Sequence, residues 1–315
     1  MATSRIDRRA IPAGARIDRW AAPDGWDHRV FDWRAQADSP RGSILFQGGR
    51  GDIFEKYLET FAHWHHAGWN VTSFDWRGQG GSGRLTAAGN CGHVEDYADY
   101  IRDLRDFWAG WAPANPGPRV LMGHSMGGHL ALRALAEGVV APDAAVLVAP
   151  MLGFKRGIFG PFAEWAAQLL GGLGDPSRPA WKSNEKPYTT ETRASLLTHD
   201  ADRYADELWW QEHSPEIRTG PPSWRWVIEG FRSNRELAAD PRLGGIRVPI
   251  LMLVAAKDGL IDGKAALALA PSLPDIHLVS FGKESAHEIL READPVRNRA
   301  LNEIDTFLAE RATAK

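Results

Sequence analysis

Short, continuous apolar runs alternate with helically spaced apolar positions along most of this chain. HRVFDWRA at 28–35 reads as a strand, and RIDRWAAP just before it as its hairpin partner. GSILFQGG at 42–49 is a buried strand ending in glycines, and from Phe54 the apolar positions 54, 57, 58, 61 and 62 have helical spacing. NVTSFDW at 70–76 is the next strand, closed by RGQGGSG. Val94, Tyr97, Ile101, Leu104, Trp108 and Trp111 then mark one face of a long helix. The strand RVLMGHS, the helix MGGHLALRALAEG and the strand AAVLVAP continue the alternation. It resumes with VPILMLVAAKD at 248–258, a helix from Gly263, DIHLVSFG at 275–282 and a last helix over 294–311. Short strands rich in Val, Leu and Ile are those of a parallel sheet covered by helices on both faces. The pattern predicts an α/β fold with a mostly parallel, doubly wound sheet.

Residues 151–243 break the rhythm with Gly, Pro and Trp (GGLGDPSRPAW, TGPPSWRW) and helical pieces such as FAEWAAQLL. An insertion between two core strands is most simply a cap over the carboxyl edge of the sheet. The predicted organisation is a core of residues 1–150 and 244–315 with a helical cap, or lid, at 151–243.

Composition narrows the class. Of 315 residues, 43% are hydrophobic and 24% charged, which is globular, and the net charge of -3 comes without a basic stripe for nucleic acid. Cys91 is the only cysteine, so no internal disulfide forms, which fits a reducing compartment. The N-terminus has no apolar signal core, and the longest apolar runs fall well short of the roughly 18 residues of a membrane span. The chain is expected to be a soluble, cytoplasmic protein with no integral membrane segment; its oligomeric state is not readable. Fourteen tryptophans are many for this length, and Trp165, Trp181, Trp209, Trp210, Trp224 and Trp226 fall inside the inserted segment.

In such a sheet, ligands bind beyond the carboxyl ends of the strands. There Gly123-His-Ser-Met-Gly127 puts Ser125 between a strand and a helix, the context of a nucleophile elbow; a plain turn is the bland alternative. A serine hydroxyl needs a base, and the base an orienting acid, in the chain order serine, acid, histidine. Asp258 closes the strand at 248–258 and His287 follows the strand at 275–282, on the same edge as Ser125. Asp262 is the rival acid. Backbone N–H donors for an oxyanion come from Met126, after the nucleophile, and from the loop FQGGRGD, where Arg50 is the choice. Gly78-Gln-Gly-Gly-Ser-Gly83 satisfies a dinucleotide pattern, but no helix starts within it as a pyrophosphate site requires. His63, His65 and His66 lack a partner set for a metal and read as a solvated helix face. No cofactor and no metal is expected.

GRGDIFEKY (49–57), FDWRGQGGSGR (74–84), GHSMGG (123–128) and AHEILREADPVR (286–297) together resemble the α/β-hydrolase superfamily. The likeness is to its group of lysophospholipases, monoacylglycerol lipases and serine aminopeptidase-like proteins. The resemblance implies Ser125 as nucleophile, Asp258 as acid and His287 as base, and gives Asp75 and Arg77 a structural place near the site. Many relatives carry His-Gly ahead of the oxyanion residue, where this chain has Gly48-Gly49.

The expected function is a cofactor-independent serine hydrolase acting on carboxylic esters through an acyl-enzyme. Its expected partner is a small-molecule ester, lipid-like (a monoacylglycerol or lysophospholipid) or otherwise apolar, with the Trp-rich segment as acyl pocket or as ordinary packing. An aminopeptidase is the alternative and needs a cap carboxylate for the substrate amine, from Glu164, Glu207, Glu212 or Glu229. A non-catalytic binding module on the same fold is a third reading.

Overall fold

The computed structural model describes residues 6–36, 40–155, 162–181 and 193–313. Eight strands form one sheet: β1 (Ala15–Ala21), β2 (Asp27–Trp33), β3 (Gly42–Gln47), β4 (Trp69–Phe74), β5 (Arg119–His124), β6 (Ala144–Val148), β7 (Ile250–Ala255) and β8 (Ile276–Phe281). Their spatial order is β1-β2-β4-β3-β5-β6-β7-β8. β1 and β2 form the expected hairpin, Ala15 opposite Trp33, and β2 runs antiparallel to β4; every other pairing is parallel. Helices α1 (Leu58–His66), α2 (Tyr97–Ala114), α3 (Met126–Ala136), α8 (Gly263–Leu269) and α9 (Asp294–Arg311) connect or follow these strands.

The chain leaves β3 toward β4 on one side and later returns to place β5 on the other. That reversal opens a crevice between the carboxyl ends of β3 and β5, where this class of sheet binds its ligands. Burial explains the apolar runs: Ile44, Leu45, Phe46, Leu121, Met122, Val146, Leu147, Leu251 and Met252 are fully buried. Each such aliphatic side chain contributes about 1.5–3 kcal/mol relative to an exposed one.

Three local departures from the sequence pattern have simple causes. Val94 is buried but lies outside α2, because the Asp96 side chain accepts the Ala98 N–H at 2.7 Å and so caps the helix after it. Residues Phe54–Tyr57 form a single 3-10 turn before α1 rather than its first turn. β8 is half exposed, with Leu278 at 40%, because it is the last strand and nothing pairs beyond it.

Between β6 and β7 the described residues form α4 (Ala163–Gly172), α5 (Arg193–Leu197), α6 (Ala201–His213) and α7 (Trp224–Ala238). Arg203 of α6 clamps this segment down, donating to Glu59 at 2.7 and 2.9 Å, to Asp294 at 2.7 Å and to the Glu292 carbonyl at 2.7 Å. Its tryptophans do not gather in one place. Trp226 packs on Tyr97 and Phe154, Trp209 stacks on His213, Trp210 donates to the Arg8 carbonyl, and Trp165 is 62% exposed. Among the described residues no helix is long and apolar enough to cross a membrane.

Candidate active site

β5 delivers the chain to Ser125, whose backbone sits at φ +50° and ψ −115°, a conformation that costs a non-glycine residue about 1–3 kcal/mol. The surroundings hold it there. The Ser125 N–H donates to Val148 at 3.0 Å, while its carbonyl accepts from His129 at 3.0 Å and Met151 at 2.9 Å. The elbow glycines are required by space: a Cβ on Gly127 would stand 2.5 Å from the Gly48 carbonyl oxygen, and one on Gly49 would stand 2.9 Å from the Ser125 Cβ. The strain therefore aims the hydroxyl into the crevice.

His287 lies after β8, and its Nε2 is 2.9 Å from Ser125 Oγ. Its Nδ1 is 2.6 Å from Asp258 Oδ2. Two main-chain bonds to α5 brace this loop, His287 N–H to Leu196 at 3.3 Å and Glu288 N–H to Leu197 at 2.8 Å. Asp258 follows the end of β7, its Oδ1 accepting the Leu260 and Ile261 N–H groups at 2.7 and 3.1 Å. Lys155 Nζ donates to the Asp258 carbonyl at 2.7 Å. Burial alone would neutralise His287, but the charge and hydrogen bond of Asp258, aided by Glu288 and Asp52, raise the imidazole above its ordinary value. Burial pushes the Asp258 carboxyl up, and His287 with the two backbone donors outweighs it, leaving the pKa lowered. Asp262, the rival, instead caps α8 by accepting the Lys264 N–H at 3.0 Å.

Met126 is the first residue of α3, and Arg50 sits across from it in the loop after β3. The peptides flanking Arg50 are fixed: Gly49 N–H donates to Asp52 Oδ2 at 2.7 Å, and Gly51 N–H to Gln79 Oε1. Gln79 Nε2 reaches Tyr100 at 3.2 Å and the Met126 sulfur at 3.9 Å, so the glycine-rich stretch 78–83 ties the loop to the elbow. No helix begins in that stretch; α2 starts at Tyr97. Asp75 accepts from Arg29 and from Gly81 N–H, and Arg77 grips Asp103 with two bonds, 2.9 and 2.6 Å.

Sequence reasoning missed a buried polar hub. Asp52 accepts from Gly49, from Tyr57 at 2.7 Å, from His124 Nδ1 at 2.9 Å and from Lys56 at 2.6 Å. Lys56 Nζ also reaches Glu288 at 2.5 Å and Glu207 of α6 at 3.1 Å, and Glu207 pairs with Arg193 at 2.7 Å and Arg291 at 3.2 Å. Burial opposes every one of these charges, yet their neighbours outweigh it, raising Lys56 and lowering Asp52, Glu207 and Glu288. The i, i+4 pair Asp52 and Lys56 on either side of apolar positions was the one available sequence signal. Lys56→Met removes the buried cation that Asp52, Glu207 and Glu288 share and is expected to lower stability by about 3–5 kcal/mol. A denaturant titration reads this as a lower midpoint at unchanged slope.

Elsewhere, His63 bonds Asp305 at 2.7 Å and His65 stacks on Trp33 at 3.9 Å, both half-buried, while His66 is exposed. Among the described residues no group of His, Cys, Asp and Glu side chains is disposed to hold a metal. A surface cleft of about 490 Å³ lined by Arg8, Glu59, His63, Asp206 and Arg297 shares no residue with Ser125, Asp258 or His287. Its charged groups already pair with one another, Arg8 with Asp206 and Arg297 with Glu59.

Four likenesses to known proteins bear on this geometry. The family model described as serine aminopeptidase, S33, matches residues 38–294. Lysophospholipase L2 of Escherichia coli (strain K12) is 32% identical over 282 residues, covering 84% of this chain and 79% of that protein. A soluble variant of monoglyceride lipase from Saccharomyces cerevisiae, solved with a substrate analog, superimposes with a TM-score of 0.75 at 19% identity over 100% of both chains. The monoacylglycerol lipase of Paleococcus ferrophilus gives 0.69 at 19% identity, covering 90% of this chain and 98% of that one. At these identities the two structures speak to the fold.

Proposed function

The chain belongs to the serine aminopeptidase S33 family of α/β-hydrolases, and from that premise we propose that it hydrolyses carboxylic esters of single-chain lipids through an acyl-enzyme. The observation that carries the proposal is the chain of hydrogen bonds from Ser125 Oγ to His287 Nε2, 2.9 Å, and from His287 Nδ1 to Asp258, 2.6 Å. Ser125 Oγ attacks the ester carbonyl as His287 Nε2 takes its proton. Asp258 holds the imidazole in the tautomer with hydrogen on Nδ1 and stabilises its cation. The N–H groups of Met126 and Arg50 receive the developing oxyanion, preorganised by the bonds that fix their neighbours. His287 then returns the proton to the leaving alcohol, and water, activated by the same histidine, releases the acid. Residues 151–243 act in this reading as the cap that selects the substrate.

The lipid-like substrate class is supported by the E. coli relative, which is a lysophospholipase. The peptidase alternative needs a carboxylate in the cap for a free amine. Of the four candidates, Glu164 is paired with Arg235, Glu207 with Arg193 and Lys56, and Glu229 with Arg232; Glu212 is exposed on α6. Ester chemistry is therefore favoured. A panel of p-nitrophenyl esters from short to long acyl chains, run beside amino-acid p-nitroanilides, tests the reading. Ester turnover that rises with acyl length supports it, and anilide cleavage without ester turnover refutes it.

The base works only when neutral, and Asp258 stabilises its charged form. The rate is therefore expected to fall as pH drops through a single group lying above the ordinary histidine value of about 6.5. A pH profile of kcat/KM measures that limb; a flat profile between pH 5 and pH 8 would remove His287 as base.

A further inference from the structure

Asp52 grips the loop after β3 from two sides. Its carboxylate Oδ2 accepts the Gly49 N–H at 2.7 Å, and its own N–H donates to the Gly49 carbonyl at 3.3 Å. That carbonyl and the Arg50 N–H belong to one planar trans peptide and point opposite ways, so fixing the first aims the second. The same Oδ2 accepts from Nδ1 of His124, the residue directly before Ser125, at 2.9 Å. The His124 ring centre lies 4.9 Å from that of His287. The other oxygen, Oδ1, accepts from Lys56 Nζ at 2.6 Å. Lys56 Nζ in turn reaches Glu288, next to His287, at 2.5 Å and Glu207 of α6 at 3.1 Å. One buried carboxylate is thereby tied to the loop of the oxyanion donor, to the elbow, to the histidine loop and to the inserted segment.

A buried ion network often gives a fold no more stability than apolar packing of the same volume. What it does give is geometry, because moving one member leaves another unpaired in a low dielectric. An oxyanion donor needs that kind of support, since it works only when held in place before the charge develops. We propose that Asp52 is a positioning residue that holds the Arg50 N–H where the oxyanion forms. Lys56 carries the seating of α6 to it through Glu207, so the inserted segment governs the rate as well as the choice of substrate. This role rests on the ester-hydrolase reading, with Arg50 as an oxyanion donor, and runs through the loop rather than through contact with the substrate.

Asp52→Asn keeps the shape but turns an NH2 group toward either the Gly49 N–H or the Lys56 ammonium, so one of the two ties breaks. The expected result is a kcat lower by about tenfold to a hundredfold, with KM within about threefold of wild type. Titration with a fluorophosphonate counts competent sites, so kcat is read per folded site. Inhibition by an octyl trifluoromethyl ketone separates positioning from structural support. Ser125 Oγ adds to its carbonyl, His287 takes the proton, and the hemiketal oxyanion occupies the hole; the octyl methyl ketone binds without that adduct. The trifluoromethyl ketone is expected to weaken by the same factor as kcat, while the methyl ketone binds as it does to wild type. Glu207→Gln is expected to give the same signature at about threefold to tenfold. Unchanged kcat per site in Asp52→Asn, or a loss of kcat without a loss of trifluoromethyl ketone affinity, would overturn the positioning role. An unchanged Glu207→Gln would overturn the relay from α6, and its result decides alone should Asp52→Asn fail to fold. Failure of the ester-hydrolase reading is distinct, because wild-type protein itself then shows no Ser125-dependent turnover.

Discussion

Replacing Ser125 with alanine lowers ester turnover by about four to six orders of magnitude and leaves the protein folded. The two halves of that expectation have separate causes. The side chain contributes one hydroxyl, 2.9 Å from His287 Nε2, and without it no acyl-enzyme forms. The strained backbone at φ +50° is held by main-chain bonds to Val148, His129 and Met151, all of which alanine keeps. Steady-state kcat on the best p-nitrophenyl ester, paired with the denaturation midpoint, reads both. Activity within tenfold of wild type would place the nucleophile elsewhere.

Asp258→Asn is expected to cost about four orders of magnitude in kcat. Asparagine keeps the shape, and its amide oxygen can still accept from Leu260 and Ile261 at the Oδ1 position. Its NH2 group then stands where Oδ2 receives the His287 Nδ1 proton, so the imidazole must turn an unprotonated Nδ1 toward it. That moves the ring proton to Nε2, which no longer accepts from Ser125. Asp262→Asn makes the contrast: this residue caps α8 at the Lys264 N–H, so the change costs a few tenths to about 1 kcal/mol of stability and leaves kcat near wild type. Should the Asp262 variant lose the larger activity, the acid has been misassigned.

The elements that could be read from sequence were those whose cause is local. Continuous Val, Leu and Ile runs mark β3, β5, β6 and β7 because both faces of those strands are covered, and the glycines of 123–127 mark the elbow because a side chain on Gly123 would strike the Gly127 carbonyl and one on Gly127 the Gln47 and Gly48 carbonyls. Ser125, Asp258 and His287 were readable because each follows a strand on one edge of a parallel sheet, and the structure brings their side chains together. The hub around Asp52 was not readable. Lys56 meets Glu207 and Glu288 across more than 150 residues of chain, and nothing in the sequence near any of the three announces the others. The tryptophans of 151–243 were ambiguous in a different way: a residue type that suits a pocket also suits a helix packed on a core, and in the structure Trp226, Trp209 and Trp210 pack on neighbouring side chains or the chain itself while Trp165 faces solvent. Carboxylates of 151–243 counted from sequence look available to a substrate amine, and arginines occupy three of them: Arg193 and Arg235 from other helices for Glu207 and Glu164, and Arg232 one turn along the same helix for Glu229.

The central claim, a serine nucleophile activated in a crevice at the sheet edge, is tested most directly by reaction with an alkyl fluorophosphonate followed by intact mass and peptide mapping. One phosphonyl group per chain is expected, on Ser125, with labelling slowed by a long-chain ester and lost in His287→Ala. An unlabelled protein, or an adduct on any other residue, would contradict it.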